Sequence, residues 1–308
     1  MERPELNTVQ ATIEQLTGRV PDSIEAVKPP SGGLESWSYR VSSSGQALWL
    51  KINHSPDTML GIHFNQRLRE ANIPTPEVVA WSANADPIGL PCVLSTHVAG
   101  DTANWLQIKM CPYDESQCGS LLRQIHSLEF DGPYCFLGDA EPISTLCPIT
   151  EDWATMFPCE HAARRCLELG WLAKSQADTL AKLPDLLSSE LGSAPKRLLH
   201  MDFLYNGNLI LETGTRKIIA AVDGAEAMAG DPRLELAYFD YGFPGSRWPF
   251  NMAAFREGYG THHDPLDDLN RFYMVNLLLF TRFAEGDLNI PMATPNILLL
   301  QTLLRTFE

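Results

Sequence analysis

Apolar positions recur along the chain with two different periods, and the change of period divides it. Val9, Ile13 and Leu16 fall at helical spacing between a capping Asn7 or Thr8 and Gly18, which predicts a short amphipathic helix over Leu6–Gly18. After Pro21 the period drops to two. Trp37–Val41 and Ala47–Ile52 are β-rich runs on either side of the turn Ser42–Gly45 and predict a hairpin. A helix is expected over Asp57–Asn72, ending in Asn72-Ile73-Pro74-Thr75-Pro76, whose prolines impose an extended exit toward strands at Val78–Trp81 and Pro91–Val98. Beyond Gly100 the helical period takes over, at Tyr113–Leu128, Glu151–Leu169, Leu172–Leu191, Pro249–Tyr259, Asp267–Ala284 and Pro295–Phe307, with a loop-like stretch over Phe130–Thr150. One pair of short apolar runs interrupts it: Leu209–Leu211 and Ile218–Val222, joined by Glu212-Thr213-Gly214-Thr215, read as a second hairpin. The expected fold is α+β and bilobal, with a β-rich lobe over residues 1–97 and a larger, mostly helical lobe over 98–308.

Composition supports that division. The 308 residues exceed one typical domain, and 44% apolar against 20% charged residues is enough to bury sizeable cores. The formal charge of −15, from 38 acidic against 23 basic residues, opposes binding to nucleic acid or to an anionic membrane. It fits a cationic small molecule, or solubility alone. Seven Cys, with no C-x-x-C pair, fit neither a zinc knuckle nor a complete disulfide framework. The N-terminal MERPELNTVQ has no basic region followed by an apolar core, and no apolar run approaches a membrane span, so a cytoplasmic location is expected.

The second hairpin changes the picture from fold to chemistry. His200 and Asp202 precede it, Asn206 or Asn208 stands at its mouth, and Asp223 stands at its exit, at the same end as Asn208. Taken singly these are turn-favouring residues, and Asp223-Gly224 is itself a turn signal. Together they form the acid, amide and acid set that phosphoryl transfer from a nucleotide requires: one carboxylate to orient and deprotonate a hydroxyl, an amide and a second carboxylate to hold Mg²⁺ against the phosphates. Upstream, Gly32 and Gly33 allow backbone N–H groups to approach phosphate oxygens, and Lys51 on the following hairpin is placed to reach the α- and β-phosphates.

The segments HMDFLYNGNLIL and AVDGAEAMAGDPRLELA resemble the H-G-D-x-x-x-x-N and I-D-W-x-x-A-x-x-G-D-P motifs of the aminoglycoside phosphotransferase family, which has the protein-kinase-like fold. QRLREANIPTPEVVAW, LPCVLSTHVAGDT and LLRQIHSL extend the resemblance over roughly the whole chain, and AVDGAEAMAGD is most similar to the hygromycin phosphotransferase branch. The resemblance implies Asp202 as catalytic base, with His200 shaping the loop around it. It implies Asn208 and Asp223 as Mg²⁺ ligands, Lys51 on the phosphates of ATP or GTP, and adenine against the hinge backbone near Ser95 and His97, between Ile210 and Val222. Asp231 would brace the catalytic loop through its backbone.

Three positions depart from the pattern. Met201 stands where the family has Gly, which removes a permissive backbone position. Gly207 stands at the family's Asn position, with Asn206 before it and Asn208 after; Asn208 is preferred because it directly precedes the strand. The Glu expected to pair with Lys51 is missing from the helix that follows, where Gly61, Ile62 and His63 lie. The expected acceptor is a hydroxyl of an aminoglycoside-like antibiotic or related small molecule. Glu226, Glu257, Asp264, Asp267 and Asp268 are candidate carboxylates for its ammonium groups, or else solvated surface. Alternatives are a metabolic kinase for choline, homoserine or a sugar, and a catalytically silent nucleotide-binding protein on the same scaffold.

Overall fold

The computed structural model describes residues 2–27, 36–55, 60–102, 112–137, 150–203, 208–241, 252–260, 267–283 and 294–307. Helix α1 (Leu6–Thr17) is followed by β1 (Ser23–Val27), β2 (Ser36–Ser43), β3 (Gln46–Asn53), α2 (Ile62–Glu70), β4 (Val78–Ala85) and β5 (Leu90–Thr96). The strands form one antiparallel sheet in the order β1-β2-β3-β5-β4. The β2–β3 turn is Ser44-Gly45, both residues at positive φ (51° and 78°), the backbone that two-residue hairpins favour because it follows the twist of the strands. Alternation along β3 buries Leu48, Leu50 and Ile52 against Val9 and Ile13 of α1, and turns Trp49 and Lys51 to the other face. The sheet therefore has a core side under α1 and a side that presents Lys51.

The chain continues through β6 (Asp101–Thr102), α3 (Pro112–His126), β7 (Cys135–Phe136), α4 (Cys159–Glu168), α5 (Lys174–Leu186), α6 (Ser188–Gly192), β8 (Arg197–Leu199), β9 (Leu209–Leu211), β10 (Ile218–Ala221), β11 (Met228–Gly230), α7 (Pro232–Tyr241), α8 (Met252–Tyr259), α9 (Asp268–Phe283) and α10 (Thr294–Leu304). Two small sheets, β10-β9-β6 and β7-β11-β8, are set among these helices. The architecture is α+β, an antiparallel N-terminal sheet followed by a helical C-terminal region. Among the described residues, no helix is long and apolar enough to cross a membrane.

Several predicted elements change on folding. The helix expected over Glu151–Leu169 is broken. Asp152 caps a single 3-10 turn, Trp153–Met156, by accepting from the Ala154 amide at 3.0 Å, and Pro158 delays the α-helix to Cys159. The helix expected over Leu172–Leu191 is two, parted at Leu187. The loop-like stretch contains β7, while residues 138–149 lie outside the described set. Strands β1, β8 and β11 and helix α7 arise where no element was expected. α7 starts on a recognisable signal, since Asp231 Oδ1 accepts from the Arg233 amide at 3.0 Å and Pro232 takes the first helical position.

Candidate active site

The second hairpin sets the frame. β9 and β10 pair with Leu209 opposite Ala221, and the Val222 amide donates to the Asn208 carbonyl at 2.9 Å, so Asn208 and Asp223 stand at one end of the ribbon. β6 adds to the outer edge of β9, with Asp101 opposite Leu211, and Gly100 passes so close that a Cβ there would lie 2.5 Å from the Leu211 carbonyl oxygen. The chain leaving β5 is thereby fixed against the hairpin that carries Ile210, leaving Ile210 and Val222 partly exposed.

Two hydrogen-bonded pairs occupy this end. Lys51 Nζ lies 2.5 Å from Asp223 Oδ1, with the side chains 22% and 40% exposed, so the N-terminal sheet and the hairpin meet in an ion pair that ligands can still reach. Burial alone would raise the Asp223 carboxyl, but the charge of Lys51 and its hydrogen bond outweigh burial and hold it below the ordinary carboxylate range. The second pair is Asn208 with Asp202: the amide Nδ2 donates to the Asp202 carbonyl at 2.8 Å and to its Oδ2 at 2.9 Å. Burial pushes Asp202 up to about 7; Asn208 opposes this, while the charges of Asp223, Glu226 and Glu235 add to it.

Helix α2, where the Glu was expected, packs instead against the turn after Asp223. Gly61, at φ 73°, caps it so close to the turn after Asp223 that a Cβ would sit 2.9 Å from the Gly224 carbonyl carbon. A Cβ on Gly224 would lie 2.1 Å from the Phe64 ring. Glycine at both positions lets helix and turn touch, and Lys51 is oriented by Asp223 itself. Phe64 also packs edge-on against His200, ring centroids 4.9 Å apart. Burial lowers the His200 pKa, and its Nε2, facing a carbonyl that can only accept, donates to Val222 O at 3.0 Å. His200 thus ties the loop ahead of the hairpin to the hairpin exit.

The loop is held by a residue to which the sequence drew no attention. Glu235, 1% exposed, accepts from the His200 amide at 2.8 Å and the Met201 amide at 2.9 Å. Among the described residues the buried Asp231 carboxylate is engaged by Arg233, whose Nε lies 2.9 Å from Oδ2, and by the Tyr273 hydroxyl at 2.7 Å. Asp231 starts α7, and residues 204–207 of the loop lie outside the described set. Met201 takes φ 64°, the left-handed region that Gly adopts freely.

The other expected positions fall as follows. Ser95 pairs with Trp49 across β3 and β5, and the His97 amide donates to the Ala47 carbonyl at 2.9 Å, so a base at the hinge would have to be met by other backbone groups. His97 also stacks on Trp49 at 5.8 Å. Glu226 lies near enough to Asp202 to raise it. Asp267 accepts from the Asn270 amide at 2.6 Å and caps α9, and Asp268 pairs with Arg271 at 2.8 Å, so helix formation occupies both carboxylates. Glu257 is exposed on α8. Gly32, Gly33, Asn206 and Asp264 lie outside the described residues.

The donors suit a hard divalent cation. Asn208 directs its Nδ2 at Asp202, which leaves its amide oxygen as the atom to meet a metal, and Asp223 is a partly exposed carboxylate. Among the described residues no group of three or more His, Cys, Asp and Glu is placed to hold a metal ion. A pair of oxygen ligands completed by phosphate oxygens and water is the arrangement Mg²⁺ prefers.

A sequence profile of the Phosphotransferase enzyme family matches residues 26–269. No curated protein matches the chain. Solved structures do. A thermostable mutant of aminoglycoside phosphotransferase APH(4)-Ia, in ternary complex with AMP-PNP and hygromycin B, superposes with a TM-score of 0.63 at 18% identity, covering 97% of this chain and 98% of that one. A provisionally named fructosamine-3-kinase from Haemophilus somnus 129PT gives 0.61 at 18% identity, covering 98% and 97%. A further one from Thermobifida fusca YX-ER1 gives 0.62 at 17% identity, covering 98% and 99%. At these identities the likeness is one of fold.

Proposed function

The chain belongs to the Phosphotransferase enzyme family, and from that premise we propose that it transfers the γ-phosphate of ATP or GTP to a hydroxyl of an aminoglycoside-like or related amino-sugar molecule. The observation that carries this reading is the meeting of the two pairs at one end of the hairpin, Lys51 with Asp223 at 2.5 Å and Asn208 with Asp202 at 2.9 Å. A nucleotide would lie with its phosphates toward Lys51 and the glycine pair Gly32-Gly33, and its base between the hinge at Ser95–His97 and the apolar floor of Ile210 and Val222. On this reading residues 1–97 form the nucleotide lobe and 98–308 the catalytic and acceptor lobe.

Asn208 and Asp223 would hold Mg²⁺, whose charge, when bound, neutralises that developing on the transferred phosphoryl group. The rest falls to the chain itself. Lys51 leaves Asp223 for the phosphates as they arrive. Asp202 accepts a hydrogen bond from the acceptor hydroxyl, directs its oxygen at the γ-phosphorus and takes up its proton as the new P–O bond forms and the bond to the nucleoside diphosphate breaks. A carboxyl raised to about 7 is well matched to receive that proton near neutral pH. Glu226 would meet an ammonium group of the acceptor beside Asp202.

The similar folds include enzymes named for an aminoglycoside and for fructosamine, both nitrogen-bearing sugars, which supports this acceptor class; within it, the hygromycin branch remains our preferred affiliation on the AVDGAEAMAGD segment. The test is a screen of the purified protein with ATP or GTP and Mg²⁺ against aminoglycosides, glycated amines, amino alcohols and simple sugars. The expected result is an acceptor that gains one phosphoryl group. Transfer to an uncharged sugar in preference to every amino sugar would overturn the acceptor class.

A further inference from the structure

A cavity of about 60 Å³ borders the loop that carries Asp202, between that loop, β11, α9 and the 3-10 turn Trp153–Met156. Its wall is apolar and rich in methionine, with Trp153, Met156, Met201, Met228, Leu234 and Leu277 among its members. Among the described residues that line it, Asn276 is the one polar side chain, and both of its ends are engaged inside the protein. Nδ2 donates to the Phe272 carbonyl at 2.9 Å, and Oδ1 accepts from the Cys159 thiol at 3.4 Å. Such a space holds water poorly, because an ordered water needs two or more polar partners. It suits an apolar guest, to which flexible, polarizable thioether side chains adapt.

The mouth of the cavity lies at the reacting end of the molecule. The lining residues that keep solvent exposure are Met201, Phe157 and Pro158; the others are buried. Met201 directly precedes Asp202, with the two Cα atoms about 3.8 Å apart as in any trans peptide. A group seated in the cavity therefore leaves the rest of its molecule beside the Asp202 carboxylate. Met201 also stands where the family motif has Gly, and it holds φ 64°, a backbone that glycine adopts freely. What the methionine adds at that position is a side chain, and this side chain forms part of the cavity wall.

We propose that the cavity is an acceptor subsite for an apolar group of about four carbons, the size that fits where one water would take about 10–15 Å³. The acceptor is then a cationic amphiphile, an amino sugar or amino alcohol carrying a short alkyl chain next to the hydroxyl that meets Asp202. This rests on the reading of Asp202 as the catalytic base and narrows the acceptor class.

The test uses the full chain, ¹³C-labelled at its methionine methyls, with n-alkyl glycosides of 2-amino-2-deoxyglucose, from methyl to hexyl, as probes. Without nucleotide, the calorimetric Kd should fall about three- to fourfold per added methylene as far as about butyl, then level off once the cavity is full. The butyl glycoside should shift the methyl resonances of Met156, Met201 and Met228, which the methyl glycoside leaves in place. Ala162 lines the cavity from α4, and Ala162→Leu fills it. The affinity ratio of butyl to methyl glycoside should drop from roughly 30- to 50-fold to within about twofold. Should that variant fail to fold, Met201→Gly removes part of the wall at a backbone angle that suits glycine, and affinity should go on rising to the hexyl chain.

A wild-type Kd that is independent of chain length, unmoved resonances of the three methionines, or an unchanged chain-length profile in the folded variant overturns the proposal. The binding series needs no phosphoryl transfer. Affinity that climbs with chain length while no acceptor is phosphorylated upholds the subsite and counts against the function. Transfer to amino sugars with a flat affinity series leaves the function standing and overturns the subsite.

Discussion

The carboxylates of Asp202 and Asp223 and that of Glu235 all meet the same loop and hairpin, and the protein treats them in opposite ways. Glu235 is sealed among α3, α7 and α8 and takes three hydrogen bonds, from two amides and His126. Asp223 has one strong partner, Lys51, and stays 40% exposed; Asp202 has one amide donor and neighbours that repel its charge. A carboxylate saturated by fixed donors has no capacity left for a ligand and serves as a girder. One that is short of donors gains the most when a cation or a hydroxyl arrives. On the proposed reading, Asp202 and Asp223 keep capacity for ligands, while the closed cluster holds the loop ahead of them.

Beside the base itself, the largest effect that would break this contrast is expected at Asp223. Asp223→Ala should lower turnover on the order of 10³-fold, the several kcal/mol a metal contributes to charge stabilisation. It should also abolish the Mg²⁺-dependent part of the rise in Tm with ATP, followed by thermal shift. Next, Asn208→Ala should cost roughly 10–10²-fold in turnover or in the Mg²⁺ requirement, against no more than about threefold for Asn206→Ala; Mg²⁺ titrations of the two variants decide which amide binds, and the reverse ranking would move the ligand to residue 206.

A third effect is a pH dependence. Because the Asp202 carboxyl is raised to about 7 from an ordinary value of 3.8, folding favours its protonated form. That contribution to stability is complete below about pH 3.8 and is lost as pH rises through about 7. In metal-free protein, Tm should therefore fall by roughly a few degrees over that window relative to Asp202→Asn, which lacks the titration. Turnover has the opposite sign, since the base must be unprotonated; it should rise with pH, and bound Mg²⁺ should move its midpoint downward. The smallest effect sharpens the contrast within the acidic residues: Glu226→Gln should raise KM for a cationic acceptor by roughly three- to tenfold, and exposed Glu257→Gln by less than about twofold.

Which parts of the molecule were legible in the sequence follows from the range of the forces involved. α1 and the β2–β3 hairpin were, because one helical stripe and one alternating pattern around Ser44-Gly45 decide them locally. Strands β8 and β11 were not, since three residues, Arg197–Leu199 and Met228–Gly230, are too few to show a period, and β1 exposes too much of itself to show alternation. α7 was hidden inside a run read for its chemistry, although Asp231 and Pro232 mark its start. Asp202, Asn208 and Asp223 could be grouped because a short hairpin brings its own ends together, and Lys51 joins them through the sheet. Glu235 could not, because its partner His126 is 109 residues away and nothing near it in sequence marks it. Asp267 stands in the sequence as a candidate acceptor carboxylate or solvated surface, because its capping role exists only once α9 begins at Asp268.

The most direct test of the central claim is a paired measurement on Asp202→Asn: phosphoryl transfer to the acceptor found in the screen, and Mg²⁺-dependent ATP binding by calorimetry. Transfer should fall on the order of 10²–10⁴-fold, the usual worth of a positioned base, while the affinity for MgATP stays within about threefold. Turnover close to that of the wild type in this variant would contradict the account.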